Sequence, residues 1–283
     1  MRRKLPTLVL ALSVTVTAGS AARESARAPA PKRAAIGRRP TALLARSIGS
    51  PTAGKLEGAV ALEPSRELRL RFSNGAHYGL PALVGMLERS AKRLTARFAG
   101  LTLHVGDLSR RDGGELPGHR SHESGRDADV AFLFVGADGE SVSPAEFMTV
   151  DGRGVALENR SYRFDDARNW ALIEAWVTDP AARVEHIFVA DRVRARLLAY
   201  ARTKGTYLPV LHRAAMAMKQ PSAGQVHDDH FHVRIACPSG QTRTCISAPL
   251  PADPAVQPAS IRRVFSSSRA LVKHKKERET GRR

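Results

Sequence analysis

Five of the chain's ten histidines fall in two short, distant clusters, and any fold this sequence adopts has to bring them together. The first cluster is Gly118-His-Arg-Ser-His-Glu-Ser-Gly-Arg-Asp-Ala-Asp129 and the second is His227-Asp-Asp-His-Phe-His232. Gly125 allows a sharp turn between His122 and Asp129, so that a loop imidazole and a strand carboxylate can converge. In the second cluster His230 and His232 alternate with Phe231, Val233 and Ile235. On a β-strand this alternation puts both imidazoles on one face and the apolar side chains on the other, against a core. His122, Asp129 and His232 then form a candidate metal site of two imidazoles and one carboxylate. Zinc sites with three protein ligands keep a position open for water or substrate, which implies one catalytic Zn2+ rather than a structural ion. His77, His104, His186, His212 and His274 lie outside the clusters and are read as surface or core residues.

The same residues carry a resemblance. Ser121-His122, Gly125 and Asp129, followed far downstream by His230-x-His232, resemble the pattern of the zinc peptidases that group lysostaphin, the D-Ala-D-Ala metallopeptidases and the hedgehog signalling domain. A narrower set is similar to the penicillin-insensitive murein endopeptidases, over about Arg69 to Cys245. It comprises Gly106-Asp-Leu-Ser109, Gly113-Gly114, Gly118-His-Arg-Ser-His122, Asp127-Ala-Asp129 and His227-Asp-Asp-His-Phe-His-Val-Arg234 with Cys237-Pro238. The D-Ala-D-Ala branch places a glutamate where this chain has His227, as the murein endopeptidases do.

The resemblance implies a zinc-dependent endopeptidase acting on peptidoglycan, cutting cross-links that join D-alanine to a diamino acid. His230 is then the general base and stabiliser of the tetrahedral oxyanion, and His227 a second acid/base or stabilising group. His119 is expected at the rim, as a polarising group or an extra ligand. Asp127 shares a strand face with Asp129 and is expected to orient a ligand by accepting a hydrogen bond or salt bridge; the competing reading is a solvated strand-end carboxylate. No serine nucleophile is needed, so β-lactams should not acylate the protein. Two other readings use the same ligands: a zinc hydrolase of the D-Ala-D-Ala carboxypeptidase or dipeptidase type, and a non-catalytic, zinc-stabilised domain that binds the cell wall.

Around these clusters the chain divides by composition. Met1-Arg-Arg-Lys4, a mostly apolar run to Gly19 and the small residues Ser20-Ala21-Ala22 read as a secretory signal peptide over residues 1–22, the competing reading being a short uncleaved anchor. Export to the periplasm or outside the cell follows, with no transmembrane anchor after cleavage. Residues 23–55, rich in Ala, Arg and Pro, are expected as a disordered linker, or equally as a trimmed pro-segment, and residues 56–247 as the metallopeptidase domain. Residues 248–283 are expected as a disordered tail, Pro/Ala-rich and then basic. The net charge of +18 calls for an acidic partner. Export and the absence of any nucleic-acid motif favour an anionic envelope polymer reached by the tail, and no nucleic acid.

Within the domain, alternation predicts strands at Leu68–Phe72, at Leu101 to Val105, at Asp127–Val135 and at His186–Ala190. Helical spacing predicts helices over Leu80–Phe98, after an Asp165-Asp166 cap, and over Val193–Tyr200. Trp170 and Trp176 are read as packing residues, the arginines from Arg192 to Arg202 as a solvated basic face, and the stretch before His227 as a long connection. Cys237 and Cys245, in an exported protein, are expected as a disulfide pinning the end of the catalytic strand. The fold class is α+β, a small, mainly antiparallel sheet with surrounding helices and a zinc cleft on one face.

Overall fold

The structure, a computed structural model, describes residues 45–72, 74–222 and 225–247. The expected signal peptide, the expected linker up to residue 44 and the expected tail from residue 248 lie outside the described residues.

The linker does not run to residue 55. Arg46–Ser50 (β1) and Ala53–Glu57 (β2) form an antiparallel hairpin. Of the apolar residues on its two strands only Leu56 is buried, which is why hydrophobic periodicity did not reveal it. Backbone pairing holds it instead: the Gly49 N–H donates to Thr244 O at 2.8 Å, and the Ile246 N–H donates to Gly49 O at 2.9 Å.

Val60–Ala61 (β3) pairs with Tyr78–Gly79 (β5), and Leu68–Leu70 (β4) is shorter than alternation predicts, leaving Phe72 exposed. Pro81 starts the first helix, Pro81–Arg97 (α1), where its missing N–H leaves no donor unpaired. Leu83, Met86, Leu87 and Leu94 form the buried stripe that their spacing predicts. Leu103–Val105 (β6) leads into the glycine-rich loop, and Asp127–Ala131 (β7) leaves it.

The strand expected to continue to Val135 stops at Ala131. The Asn169 side chain takes both backbone groups of Leu133, accepting from its N–H at 3.0 Å and donating to its carbonyl at 2.7 Å. Phe134–Val135 (β8) therefore joins a separate small sheet with Ser141–Val142 (β9) and Arg163–Phe164 (β10). Asp165 caps Asp166–Val177 (α2) by accepting from the Ala167 and Arg168 amides, and Trp170 and Trp176 are buried as expected.

Val184–Phe188 (β11) and Asp191–Thr203 (α3) follow. The basic face of α3 is not simply solvated. Arg194 donates to the carbonyls of Met218 and Ala215, Arg192 to that of Val150, and Arg196 pairs with Asp166. The connection before His227 likewise holds a helix, Leu208–Ala217 (α4), and a strand, Met218–Lys219 (β12). Its signal was present in Val210, Leu211, Ala214 and Ala217, all buried at helical spacing.

The last strand, His230–Ile235 (β13), completes a six-stranded sheet of order β12-β11-β13-β7-β6-β4. Its four inner strands, β11, β13, β7 and β6, each run antiparallel to their neighbours within that set, and only the two outer pairs are parallel. The α+β class with a mainly antiparallel sheet is therefore the observed one. One face packs into the core, where Phe231 meets Phe132 and Trp176 edge-on. The opposite face of β7 and β13 carries the polar residues.

Candidate metal centre

Strand register builds the centre. β13 pairs with β7 so that His232 stands opposite Asp129 and Arg234 opposite Asp127. The loop after β6 then brings His119 and His122 over the end of that ladder. All seven residues expected at the site, His119, His122, Asp127, Asp129, His227, His230 and His232, converge.

The backbone is forced at two of them. His122 (φ 78°) and His227 (φ 57°) are the only non-glycine residues with positive φ among those described. Such conformations cost about 1–3 kcal/mol and persist where the surroundings dictate them. For His122 the determinant is a hydrogen bond to the Leu108 carbonyl at 2.8 Å from Nδ1. A carbonyl only accepts, so a proton sits on Nδ1 and Nε2 is the nitrogen left to ligate a metal. Gly125 (φ 74°) turns the chain against Leu56, where a Cβ would come within 2.5 Å of that side chain.

Asp129 is the hub. Its Oδ1 lies 3.4 Å from His122 Nε2, 3.4 Å from His230 Nε2 and 3.3 Å from His232 Nδ1, and its Oδ2 lies 3.6 Å from His119 Nδ1. Burial pushes this carboxyl up, but His122 and His230 outweigh it and hold it well below the usual carboxylate range. Asp129 Oδ1 and His122 Nε2 are both buried without a hydrogen-bond partner. Buried polar atoms find partners in folded proteins. Two such atoms aimed at each other, with a donor atom of His119 to complete a group within 4.8 Å, suit a cation. The donor set of imidazoles and one carboxylate fits zinc.

The imidazoles are oriented from behind. Asp127, fully buried, faces His232 Nε2 at 2.7 Å and accepts from Arg234 Nε at 2.6 Å through the same Oδ1. This leaves His232 Nδ1 pointing toward Asp129, and no solvated carboxylate at the strand end. Burial pushes the Asp127 carboxyl up, but Arg234 and His232 hold it well below its ordinary range. His119 Nε2 lies 2.8 Å from Asp107, which also accepts from Asn74. His230 Nδ1 lies 2.6 Å from Asp229, and its ring stacks on Phe147. Burial lowers His230, but Asp129 and Asp229 push it up to about 9. His227 moves the other way, lowered by burial and by His230, with Nδ1 bonded to the Gln225 carbonyl at 2.8 Å. Sequence reasoning assigned no role to Asp107, Asp229 or Phe147. The two aspartates sat inside the recognised motifs; Phe147 sat in an unassigned insertion.

Asp129 and the five histidines line a cleft of about 650 Å³ bounded by Thr52 of the hairpin, the His119 loop, Phe188 and Pro221. Cys237 and Cys245 form the expected disulfide just beyond β13. A buried carboxylate ringed by imidazoles at the floor of an open cleft is the arrangement of a metal-dependent hydrolase. The family model described as penicillin-insensitive murein endopeptidase matches residues 47–281, and the chain belongs to that family. The penicillin-insensitive murein endopeptidase of Haemophilus influenzae is 36% identical over 214 residues, covering 72% of this chain and 68% of that protein. The protein of the same description from Pectobacterium atrosepticum is 27% identical over 207 residues, covering 71% and 68%. That from Klebsiella pneumoniae is 27% identical over 217 residues, covering 73% and 72%.

Proposed function

We propose that this chain is an exported, zinc-dependent endopeptidase that hydrolyses D-alanyl to diamino acid amide bonds in the peptide cross-links of peptidoglycan. The observation that carries the reading is Asp129, buried and within 3.6 Å of four imidazole nitrogens. His122, Asp129 and His232 are the residues to hold the ion, and His119 stands close enough to join them. A bound zinc ion supplies a water of lowered pKa and a Lewis acid for the scissile carbonyl.

The chain's own groups do the rest. Asp127 fixes the His232 ring so that Nδ1 faces inward, and Leu108 fixes the His122 tautomer. His230, held by Asp229 and Phe147, would serve as general base once a bound metal takes up the Asp129 charge that otherwise holds it protonated, and then as a donor to the developing oxyanion. With Nδ1 bonded to Gln225, His227 turns its Nε2 lone pair to the cleft as the second acid/base. Among the described residues no helix is long and apolar enough to cross a membrane.

The test is release of monomers from purified cross-linked muropeptide dimers by wild type, by His230→Ala and by metal-stripped protein. Loss in the last two, with recovery of stripped wild type on adding zinc, supports the reading. Stoichiometric metal binding without cleavage of dimers overturns it.

A further inference from the structure

The sheet face that carries the metal centre continues past His232. Phe188 on β11 stands opposite His232, His186 opposite Arg234, and Lys219 on β12 opposite Phe188. Residues paired across a ladder share one face of the sheet. Arg234 and Lys219 thus flank Phe188, each cationic group 5.1 Å from its ring centre. Phe188 and Arg234 line the cleft.

Both cations are poorly matched by the protein. Arg234 is only 7% exposed, yet its one carboxylate contact runs from Nε to an Asp127 oxygen that also faces His232. No acceptor among the described residues engages Nη1 or Nη2. Among the described residues the one hydrogen-bond partner of Lys219 Nζ is His186 Nε2, at 3.4 Å. That imidazole is neutral at pH 7, lowered to about 4 by burial and by Lys219 and Arg234. The neighbouring carboxylate, Glu185, faces Arg126 at 3.5 Å. Burial and Arg234 lower Lys219 as well, so the two cations repel one another in a partly dehydrated place. Such an arrangement is relieved by an anion, and the unfilled Nη edge of a guanidinium is a fork suited to a carboxylate.

We propose that Arg234 and Lys219, set either side of Phe188, form a subsite that binds a free carboxylate of the peptide substrate and thereby selects which amide lies over the metal centre. The inference rests on the endopeptidase reading. Two residues along a strand span about 7 Å, so a carboxylate held at Arg234 belongs to a residue bordering the amide held at His232. It comes either from the diamino acid that supplies the amide nitrogen or from the peptide's C-terminus.

The experiment uses the zinc-loaded full chain and three dimers: all carboxylates free, the diamino acid carboxylate amidated, and the C-terminal carboxylate amidated. In wild type, amidating the recognised carboxylate is expected to raise KM roughly tenfold with kcat little changed, and the affected dimer identifies the source. Lys219→Gln should raise KM for the free-acid dimer severalfold and have no further effect on the affected dimer. Lys219→Arg, which keeps the charge, should restore the preference. Equal KM for all three dimers in wild type, or a Lys219→Gln defect of the same size on every dimer, overturns the subsite. If wild type cuts none of them, the endopeptidase reading fails separately. Calorimetric binding of the intact free-acid and amidated dimers then decides the subsite, and equal Kd values overturn it.

Discussion

The Phe147 ring lies nearly flat on the His230 imidazole, with ring centres 4.6 Å apart and planes 19° from parallel. Gly106 makes room for it, since a Cβ at that position would come within 2.8 Å of the ring, and the Arg71 guanidinium sits 3.8 Å from its centre. His230 is thus fixed by Asp229 through one nitrogen and by Phe147 across its plane. An aromatic pair contributes about 0.5–1.5 kcal/mol beyond burial. Phe147→Ala should therefore lower kcat on a muropeptide dimer by about three- to tenfold, while Phe147→Tyr keeps most of it. Chromatographic product assays would reveal this, and an unchanged kcat in the alanine variant would refute the positioning role.

Asp127→Asn should weaken metal binding without unfolding the protein. The carboxylate turns His232 toward Asp129 and is itself matched by Arg234. Partners that orient a metal-bound imidazole typically matter 10- to 100-fold in affinity, so a loss of about that size is expected. Competition with a chromophoric chelator measures it, and circular dichroism checks the fold. Wild-type affinity in the variant would mean that β13 alone orients the ring.

The disulfide should matter beyond its own loop. Closing a loop with a sequence separation of 8 stabilises by about 2–3 kcal/mol on chain-entropy grounds. The residues it encloses also clamp the hairpin: Gln241 accepts from the Ser47 amide and donates to the Ala45 carbonyl. Replacing Cys237 and Cys245 with serine should lower the melting temperature and speed hydrogen exchange at Gly49 and Ile246. Exchange unchanged at those amides would show that the clamp holds without the covalent link.

Asp179 joins the end of α2 to α1. It accepts from Arg89 Nε and Nη2, both at 2.8 Å, and from the amides of Ala181 and Ala182. Burial pushes its carboxyl up, but Arg89 and the two amides prevail and hold it below the usual carboxylate range. A depressed folded pKa means that the ionised form favours folding. That contribution is complete above the unfolded value near 3.9 and disappears as pH falls through the folded value. Asp179→Asn should thus destabilise by about 1 kcal/mol at pH 7, since solvent around Arg89 screens the pair. The gap from wild type should close in denaturation series carried below pH 3.9. A gap independent of pH would point to shape rather than charge.

Much of the site was legible because histidine and aspartate at fixed spacing leave few alternatives once strand period is applied. His230 and His232 face the cleft while Phe231 and Val233 face the core, as alternation requires. Elements held by side-chain-to-backbone bonds were not legible. Asn169 ends β7 from a distance in sequence, and nothing between Ala131 and Val135 announces the break. The α3 arginines looked solvated because sequence does not show that Arg194 reaches carbonyls near β12. Phe147 was invisible for a related reason: its partner, His230, lies far along the chain, and an aromatic residue in an acidic, glycine-containing insertion carries no periodic signal.

The β1–β2 hairpin, first in chain order among the described strands, forms a wall of the cleft. Thr52 at its tip lines the cleft, and the Gly54 amide donates to Glu123, next to His122. The position of any proteolytic trimming is therefore critical. A cut just after Glu57 would spare the central sheet and its histidines but remove one side of that cleft. Trimming past that boundary would act as an irreversible brake on a hydrolase that could otherwise breach its own cell's wall.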